Sequence, residues 1–374
     1  CTDHLSFSVS TDCLKMTTLQ SFDARTGQAL GAALHASSST DIDAAVQAAH
    51  AAFADWQSSE GASRAALLNA LAAAIESDRE ALVALADQES GLGLPRLNGE
   101  LDRTAFQLRR FANLAQNGAA FAFTDDPAVA GGPPAGHPAM LRVRVPLGPV
   151  AMFSASNFPF AFSVLGGDTA SALAAGCSVV VKAHPGHPQT SQRVHGHVQS
   201  ALKSLNLPAG LVGMVQGAGH EVGVTLIQHP WIAAGAFTGS TRGGAALQAA
   251  ARQRARPIPF YGELGSINPV IATPEALQKG GDALVQTLAG SITLGCGQFC
   301  TSPGVIVLPT GAQGDAFVAT LVESLKAAKT HAMLTPQMRA GFEAGRAAWA
   351  ANPKLHELLA DVGPEEFDPS TGRD

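Results

Sequence analysis

The sequence predicts an α/β fold built on a parallel sheet, and three observations carry that expectation. From Val150 onward, short apolar runs alternate with helical segments: Val150–Phe153, Ser178–Lys182, Leu211–Val215 and Ile232–Phe237 read as strands, Thr169–Ala175 and Glu221–Gln228 as helices. Glycine-rich turns follow two of those strands, at Gly217–Gly223 and at Phe237–Gly244. The chain has 374 residues, 46% of them hydrophobic and 14% charged, which is enough apolar material for two lobes with a sizeable core.

The N-terminal part is helical by periodicity. Ser39–Thr40–Asp41 reads as a helix start, with Asp43 three residues after Thr40. Ile42, Val46, Ala49, Phe53 and Trp56 then follow at steps of four and three, one apolar stripe. Ala65–Ile75 and Arg79–Asp87 continue the pattern, and Gly91–Leu92–Gly93–Leu94–Pro95 breaks it. A further helix is expected over about 98–115. Its Arg103, Arg109 and Arg110 read as solvated-face charges, with the alternative that one of them faces a substrate carboxylate. Pro127–Pro138 is a loop or inter-domain connection, and Leu141–Val145 alternates like a strand with one wet face, an arm able to pair with another subunit.

Composition excludes several classes. A net charge of −6 leaves no basic footprint, so nucleic acid is not an expected partner. No apolar run approaches the roughly 18 to 20 residues that span a bilayer. Cys1–Lys15 lacks the basic start and apolar core of a signal peptide, and the five cysteines make no disulfide framework, so a reducing cytoplasm is the expected compartment. Both ends are unusual. Met16 looks like a better translation start than Cys1, which makes 1–15 a non-native or upstream extension, and Phe367–Asp374 is turn-like. A fragment is expected.

Two stretches carry the chemistry. In Gly295–Pro303, Cys300 stands among small residues where an electrophile can reach a thiolate, although a lone cysteine also reads as a small buried hydrophobe. Upstream, Glu263 lies in Gly262–Glu263–Leu264–Gly265–Ser266–Ile267–Asn268–Pro269. A carboxyl buried among such neighbours would have a raised pKa suited to general-base work. Gly217, Gly219 and Gly223 are spaced one residue longer than the usual dinucleotide turn, so an ordinary turn and a phosphate-binding helix start both remain open. His184 and His187, with Pro and Gly between them, make no metal set, and Cys296 with Cys300 lacks the second pair that zinc would need. There is no G-x-S-x-G elbow and no Walker lysine motif.

Taken together, Ser156–Pro159, Val181–Lys182, Phe237–Thr241, Gly262–Gly265 and Gly297–Cys300 resemble the aldehyde dehydrogenase superfamily in order and spacing, from about residue 19 to the low 300s. The resemblance implies that Cys300 attacks the aldehyde carbon, that the Asn157 amide and the Cys300 backbone N–H hold the oxyanion, and that Glu263 activates the hydrolytic water. It also implies a cofactor site: Lys182 on the adenosine ribose, Phe237 and Ser240 near the pyrophosphate, Gly219 and Gly223 on the adenine side, Leu264 near the nicotinamide, with Phe153 and His184 beside them. NAD-preferring members carry a carboxylate three residues after the ribose lysine. Pro185 stands there in this chain, so NADP is expected to be preferred, with NAD possible as well.

Finer stretches, Ser154–Ser163, Gly166–Leu173, Lys182–Pro185 and Gly265–Pro269, are similar to those of the bacterial 2,5-dioxovalerate (α-ketoglutarate semialdehyde) dehydrogenases, and several are shared with NADP-linked fatty-aldehyde dehydrogenases. The implied lobes are 19–127 with 147–262 for the cofactor, a 128–146 arm for assembly into a dimer or tetramer, and an incomplete catalytic lobe over 263–374. One departure stands out: the family's E-x-F-G-P glutamate, which holds the nicotinamide ribose, is not found before Asp374, and Gly363–Phe367 has similar letters in the wrong order. A nucleotide-binding remnant without turnover, and a thiol esterase using Cys300 and Glu263, are the competing expectations.

Overall fold

The computed structural model describes residues 18–295, 297–328 and 332–359. The expectations made on Cys1 to Met16, on Cys296 and on the segment from Gly363 onward lie outside those residues.

An antiparallel pair, β1 (Thr18–Phe22) and β2 (Ala29–His35), precedes four helices: α1 (Ser39–Trp56), α2 (Gly61–Ser77), α3 (Arg79–Ser90) and α4 (Leu94–Gln116). The start of α1 is one step earlier than the sequence suggested. Ser38 is the N-cap, its hydroxyl accepting from the Asp41 N–H while the Asp41 carboxylate accepts from the Ser38 N–H, so the capping box uses Asp41 rather than Asp43. Ile42, Val46, Ala49 and Trp56 of the stripe are buried, Phe53 is half-buried with Ala52 buried beside it, and the Trp56 indole N–H donates to the Leu173 carbonyl at 3.2 Å. The break after α3 is real but short. Gly91 closes that helix at φ +67°, a left-handed conformation that favours glycine, and α4 begins at Leu94 with Pro95 in its first turn, where its missing N–H costs nothing.

A hairpin follows, β3 (Phe123–Asp126) paired with β4 (Met140–Val143). The expectation of one wet face is not met within the described residues: all four residues of β4 are exposed, and none of the larger contacts between described elements joins the hairpin to a helix or to another sheet.

The central sheet is formed by β5 (Val150–Phe153), β6 (Val179–Lys182), β7 (Val212–Val215), β8 (Ala234–Thr238) and β9 (Phe260–Glu263), ordered β7-β6-β5-β8-β9 and parallel throughout. Its crossovers are α5 (Gly167–Ala174), α6 (Pro188–Ser204), α7 (His220–Gln228) and α8 (Thr241–Arg252). Strand order reverses between β5 and β8, the kind of switch point beyond whose strand ends ligands settle in open α/β sheets. Val150–Phe153 is buried on both faces, as a strand covered by helices on both sides must be. One large core joins α2–α6 to this sheet, and a second cluster on its other face is centred on Ile42, Val46, Val180, Leu226 and Ala251.

Beyond Glu263 lie β10 (Pro269–Ile271), α9 (Pro274–Thr293), β11 (Val305–Val307), α10 (Ala312–Lys326) and α11 (Pro336–Ala350). The two strands pair in parallel, and Leu277, Val285, Leu288, Phe317 and Leu321 make a separate apolar cluster there. Among the described residues no helix is long and apolar enough to cross a membrane.

Candidate active site

Parallel register sets three predicted residues in a row. Phe153 is level with Lys182 on one neighbouring strand and with Phe237 on the other, all at the C-terminal edge of the sheet beside the switch point. The Lys182 ammonium donates to the Gly217 carbonyl at 2.9 Å, its only hydrogen bond among the described residues, and burial pulls its pKa down to about 8. Phe153 and Phe237 lie with ring centroids 6.2 Å apart.

Around that row the backbone is stripped of side chains. A Cβ on Gly223 would come within 3.4 Å of the Phe153 ring, one on Gly239 within 2.8 Å of the Phe237 ring, and one on Gly244 would run into the Leu264 side chain. Ser240 caps α8, its hydroxyl accepting from the Gly243 N–H at 3.1 Å, and Thr241 Oγ1 accepts from the Gly265 N–H at 3.3 Å. This second bond ties the turn after Glu263 to the start of α8. The result is a concave edge with a helix N-terminus, an amine and two aromatic rings, a set that fits a dinucleotide. Gly219 precedes α7, and an added Cβ there would meet the Glu221 carboxylate.

His184 and His187 have their own partners. The Gly186 N–H donates to His184 Nδ1 at 3.0 Å, while the His187 ring contacts the Ala155 carbonyl at 2.9 Å and Ser191 Oγ at 3.2 Å. Burial, then His187 and Lys182, hold the His184 imidazole well below its ordinary pKa. At neutral pH it is therefore an uncharged hydrogen-bonding group.

The two chemistry-bearing stretches meet. Asn268 donates its side-chain amide to the Cys300 carbonyl at 2.7 Å and to the Ser302 carbonyl at 2.9 Å, and the Ser266 hydroxyl also donates to the Cys300 carbonyl. On the opposite side, Asn157 donates through Nδ2 to the Gln298 carbonyl at 2.5 Å. An amide nitrogen carries two hydrogens, so one remains for a ligand. Cys300 is a half-buried free thiol.

Glu263 departs from the expectation. It is exposed, because β9 is the edge strand of the sheet and pairs only with β8. Its local sequence is apolar, but no layer of the described chain covers its side chain, so the burial that would suit it to base work is not found. Asp168, within the Gly166–Leu173 stretch, stands in the first turn of α5 and feels the Glu263 charge. Burial and then the Glu263 charge push the Asp168 carboxyl above the ordinary range.

Like Asp168, Arg96 is not singled out by the sequence. Its Nη2 donates to the Asn157 carbonyl at 2.6 Å, and its guanidinium lies 4.9 Å from the Phe158 ring centre and 4.7 Å from that of Phe299. Glu100, one turn along α4, holds Oε2 3.4 Å from Arg96 Nη1, and its Oε1 accepts from the Phe160 and Ala161 N–H groups. The Arg96/Glu100 spacing of four was the available signal. What it served could not be read, because its targets are about sixty and two hundred residues away along the chain.

The three arginines of α4 separate in the structure. Arg109 forms a two-point ion pair with Glu76, as a solvated-face charge does. Arg103 is exposed but not simply solvated, since its guanidinium lies 5.6 Å from the Phe158 ring centre and 5.1 Å from that of Phe162. Arg110 is exposed, and among the described residues no ring or carboxylate meets it.

The model of the aldehyde dehydrogenase family matches residues 13–350. The chain is 40% identical over 344 residues to alpha-ketoglutaric semialdehyde dehydrogenase 2 of Azospirillum brasilense, covering 92% of this chain and 66% of that protein. It is 40% identical over 358 residues to the alpha-ketoglutaric semialdehyde dehydrogenase of Acinetobacter baylyi, covering 94% of this chain and 68% of that one. The chain thus spans about two thirds of the length of these relatives. Among solved structures, an NAD-dependent benzaldehyde dehydrogenase from Corynebacterium glutamicum superposes with a TM-score of 0.75 at 25% identity, over 89% of this chain and 70% of that one.

Proposed function

The chain belongs to the aldehyde dehydrogenase family, and from that membership we propose that it oxidises an aldehyde to a carboxylic acid with NAD or NADP, 2,5-dioxopentanoate to 2-oxoglutarate being the reaction. The observation that carries the proposal is the convergence on the Cys300 loop, with Asn157 bonded to the Gln298 carbonyl and Asn268 to the Cys300 carbonyl. Two relatives at 40% identity bear the name of that semialdehyde's dehydrogenase, which supports the substrate.

In the proposed reaction the Cys300 sulfur bonds to the aldehyde carbon as the carbonyl π pair moves onto oxygen. The free N–H of Asn157 and the Cys300 backbone N–H receive that oxyanion. NAD or NADP, when bound, would supply the acceptor for the hydride of this carbon, and Cys300 would then hold the acyl group as a thioester. Glu263 then takes a proton from water as its oxygen bonds to the acyl carbon, releasing the acid and restoring the thiol. The Glu263 charge also disfavours ionisation of Asp168, so the two carboxyls oppose each other's charge.

The residues present fit the cofactor: Lys182 would hold the adenosine ribose, Ser240 and the start of α8 the pyrophosphate, and Phe153, Gly223 and Leu264 would line the flanking surfaces. We assign NADP as the preferred form, because Pro185 puts no carboxylate against a 2′-phosphate. His184 would contribute there by hydrogen bonding. The exposed apolar side chains of the β3–β4 hairpin, Phe123, Leu141 and Val143, support its use as an arm in a homo-oligomer.

Reduced nicotinamide formation with 2,5-dioxopentanoate, comparing NADP with NAD and including a long-chain aldehyde, is the test. Turnover on the dioxo acid that disappears in Cys300→Ala is expected. Preference for the long-chain aldehyde would overturn the substrate, and absence of turnover on every aldehyde would overturn the reaction.

A further inference from the structure

Two guanidinium groups share the Phe158 ring, and their circumstances differ. Arg96 and Arg103 are seven residues apart on α4, two turns of the same helix face, and stand 4.9 and 5.6 Å from that ring's centre. Arg96 is packed into the protein and hydrogen-bonds through Nη2, its Nε and Nη1 having no hydrogen-bond partner among the described residues. It donates to the Asn157 carbonyl, lies over Phe299, and has the Glu100 carboxylate beside it, with only 13% of its side chain exposed. Arg103 is exposed, and among the described residues no carboxylate pairs with it and no carbonyl accepts from it. Its only contacts are the faces of Phe158 and Phe162, which fix the planar group without using its five N–H donors.

Charge sharpens the contrast. Glu100 is 3% exposed, and Arg96, Arg103 and two backbone N–H groups all favour its charged form, so the Arg96–Glu100–Arg103 row holds two cations for one carboxylate. Arg103 faces out of the wall whose aromatic members lead to the nucleophile: Phe158 follows Asn157, and its ring lies 5.0 Å from that of Phe299, the residue before Cys300. A guanidinium held over the rings of the wall that leads to Cys300, with no carboxylate in ion-pair contact among the described residues, is suited to a carboxylate held at two points.

We infer that Arg103 is the specificity-determining residue that anchors the carboxylate of an oxo acid whose aldehyde end reaches Cys300. This rests on the reading of Cys300 as the group that attacks an aldehyde. It assigns the substrate class to short anionic aldehydes and divides labour on α4: Arg96 positions the protein's own groups, and Arg103 receives the ligand's charge.

The test compares 2,5-dioxopentanoate with pentanal, a neutral aldehyde of the same chain length, in wild type, Arg103→Ala and Arg103→Lys. The ratio of kcat/KM for the anion to that for the neutral aldehyde is expected to fall about 10- to 100-fold in Arg103→Ala, mostly through KM. Arg103→Lys, which keeps the charge but loses the two-point fork, should recover part of it. An unchanged ratio in Arg103→Ala would overturn the inference while leaving aldehyde oxidation standing. Calorimetric binding of glutarate to the same proteins reads the anchor without turnover. Binding weakened by Arg103→Ala in a chain that oxidises no aldehyde would keep the anchor and sink the reaction. Equal glutarate affinity in both proteins would overturn the anchor.

Discussion

The Asn268 side-chain amide bridges the carbonyls of Cys300 and Ser302, at 2.7 and 2.9 Å. Asn268 itself sits at φ +46°, a left-handed conformation in which asparagine is far better tolerated than most residues. One residue therefore supplies both a strained turn and the clamp on the Cys300 backbone. Asn268→Gly should relieve the backbone and lose the clamp, whereas Asn268→Ala should lose both. We expect kcat to fall in each, by roughly 10-fold or more for two hydrogen bonds of ordinary strength, and melting temperature to fall further in Asn268→Ala. Equal stability of the two variants would show that the turn carries no strain.

Arg96 should behave as a positioning residue. Arg96→Ala leaves the Glu100 carboxylate buried without its cation, and breaking such a pair typically costs about 3 kcal/mol or more. Arg96→Lys keeps the charge and loses the planar stack between Phe158 and Phe299, so it should fold while lowering kcat more than it raises KM. Denaturant unfolding and steady-state kinetics on both variants separate these effects. A pure rise in KM would refute the positioning role.

Lys182 gives a pH signature. Burial lowers its pKa from 10.5 to about 8, so between those values the unfolded chain binds a proton that the folded one does not. Stability from this group is therefore lowest below about pH 8, where the buried ammonium stays charged, and rises with pH across the window; the full difference corresponds to about 3 kcal/mol. Urea unfolding at intervals from neutral pH to pH 10 should show that slope in wild type and lose it in Lys182→Met. A dinucleotide bringing negative charge to the ammonium should raise its pKa, so binding near pH 9 is expected to take up protons, measurable by calorimetry in buffers of different ionisation enthalpy.

Asp168 makes an opposite case. Burial and the Glu263 charge raise its pKa, so the folded chain binds the extra proton above the ordinary carboxylate value. Its contribution is then favourable at low pH and is lost as pH rises through the folded value. Asp168→Asn should raise the melting temperature at neutral pH and change it little under acid conditions. The reverse ordering would mean that the Asp168 charge is stabilised by something other than its present neighbours.

Glu263→Gln tests the hydrolytic step directly. If Glu263 activates water, the variant should accumulate an acyl group on Cys300, seen as an added mass on the intact protein after mixing with aldehyde and cofactor. Turnover at the wild-type rate without that adduct would remove Glu263 from the mechanism.

Much of this architecture was legible in the sequence. The four-and-three spacing of Ile42, Val46, Ala49, Phe53 and Trp56 specified a helix and most of its buried face, and short apolar runs such as Val150–Phe153 specified strands, because these patterns follow from local geometry alone. The motif residues Asn157, Glu263 and Cys300 were likewise visible as residue types in a spacing. Pairing was not visible. The apolar neighbours of Glu263 suggested burial, yet β9 proved to be the sheet's edge, and a strand's place in the order depends on segments far away in the chain.

By itself, then, the sequence determined the alternation of strands and helices, the identity of the thiol and carboxylate, and the glycines of the cofactor edge. Only the tertiary structure decided that Phe153, Lys182 and Phe237 stand in one row, that Asn268 holds the Cys300 carbonyl, and that Arg96 is buried on the Asn157 carbonyl while Arg103 lies exposed over two rings. The reason is physical: periodicity records which side of an element meets the core, whereas hydrogen bonds and ring contacts between distant segments depend on register and on the reach of long side chains, which no local pattern encodes.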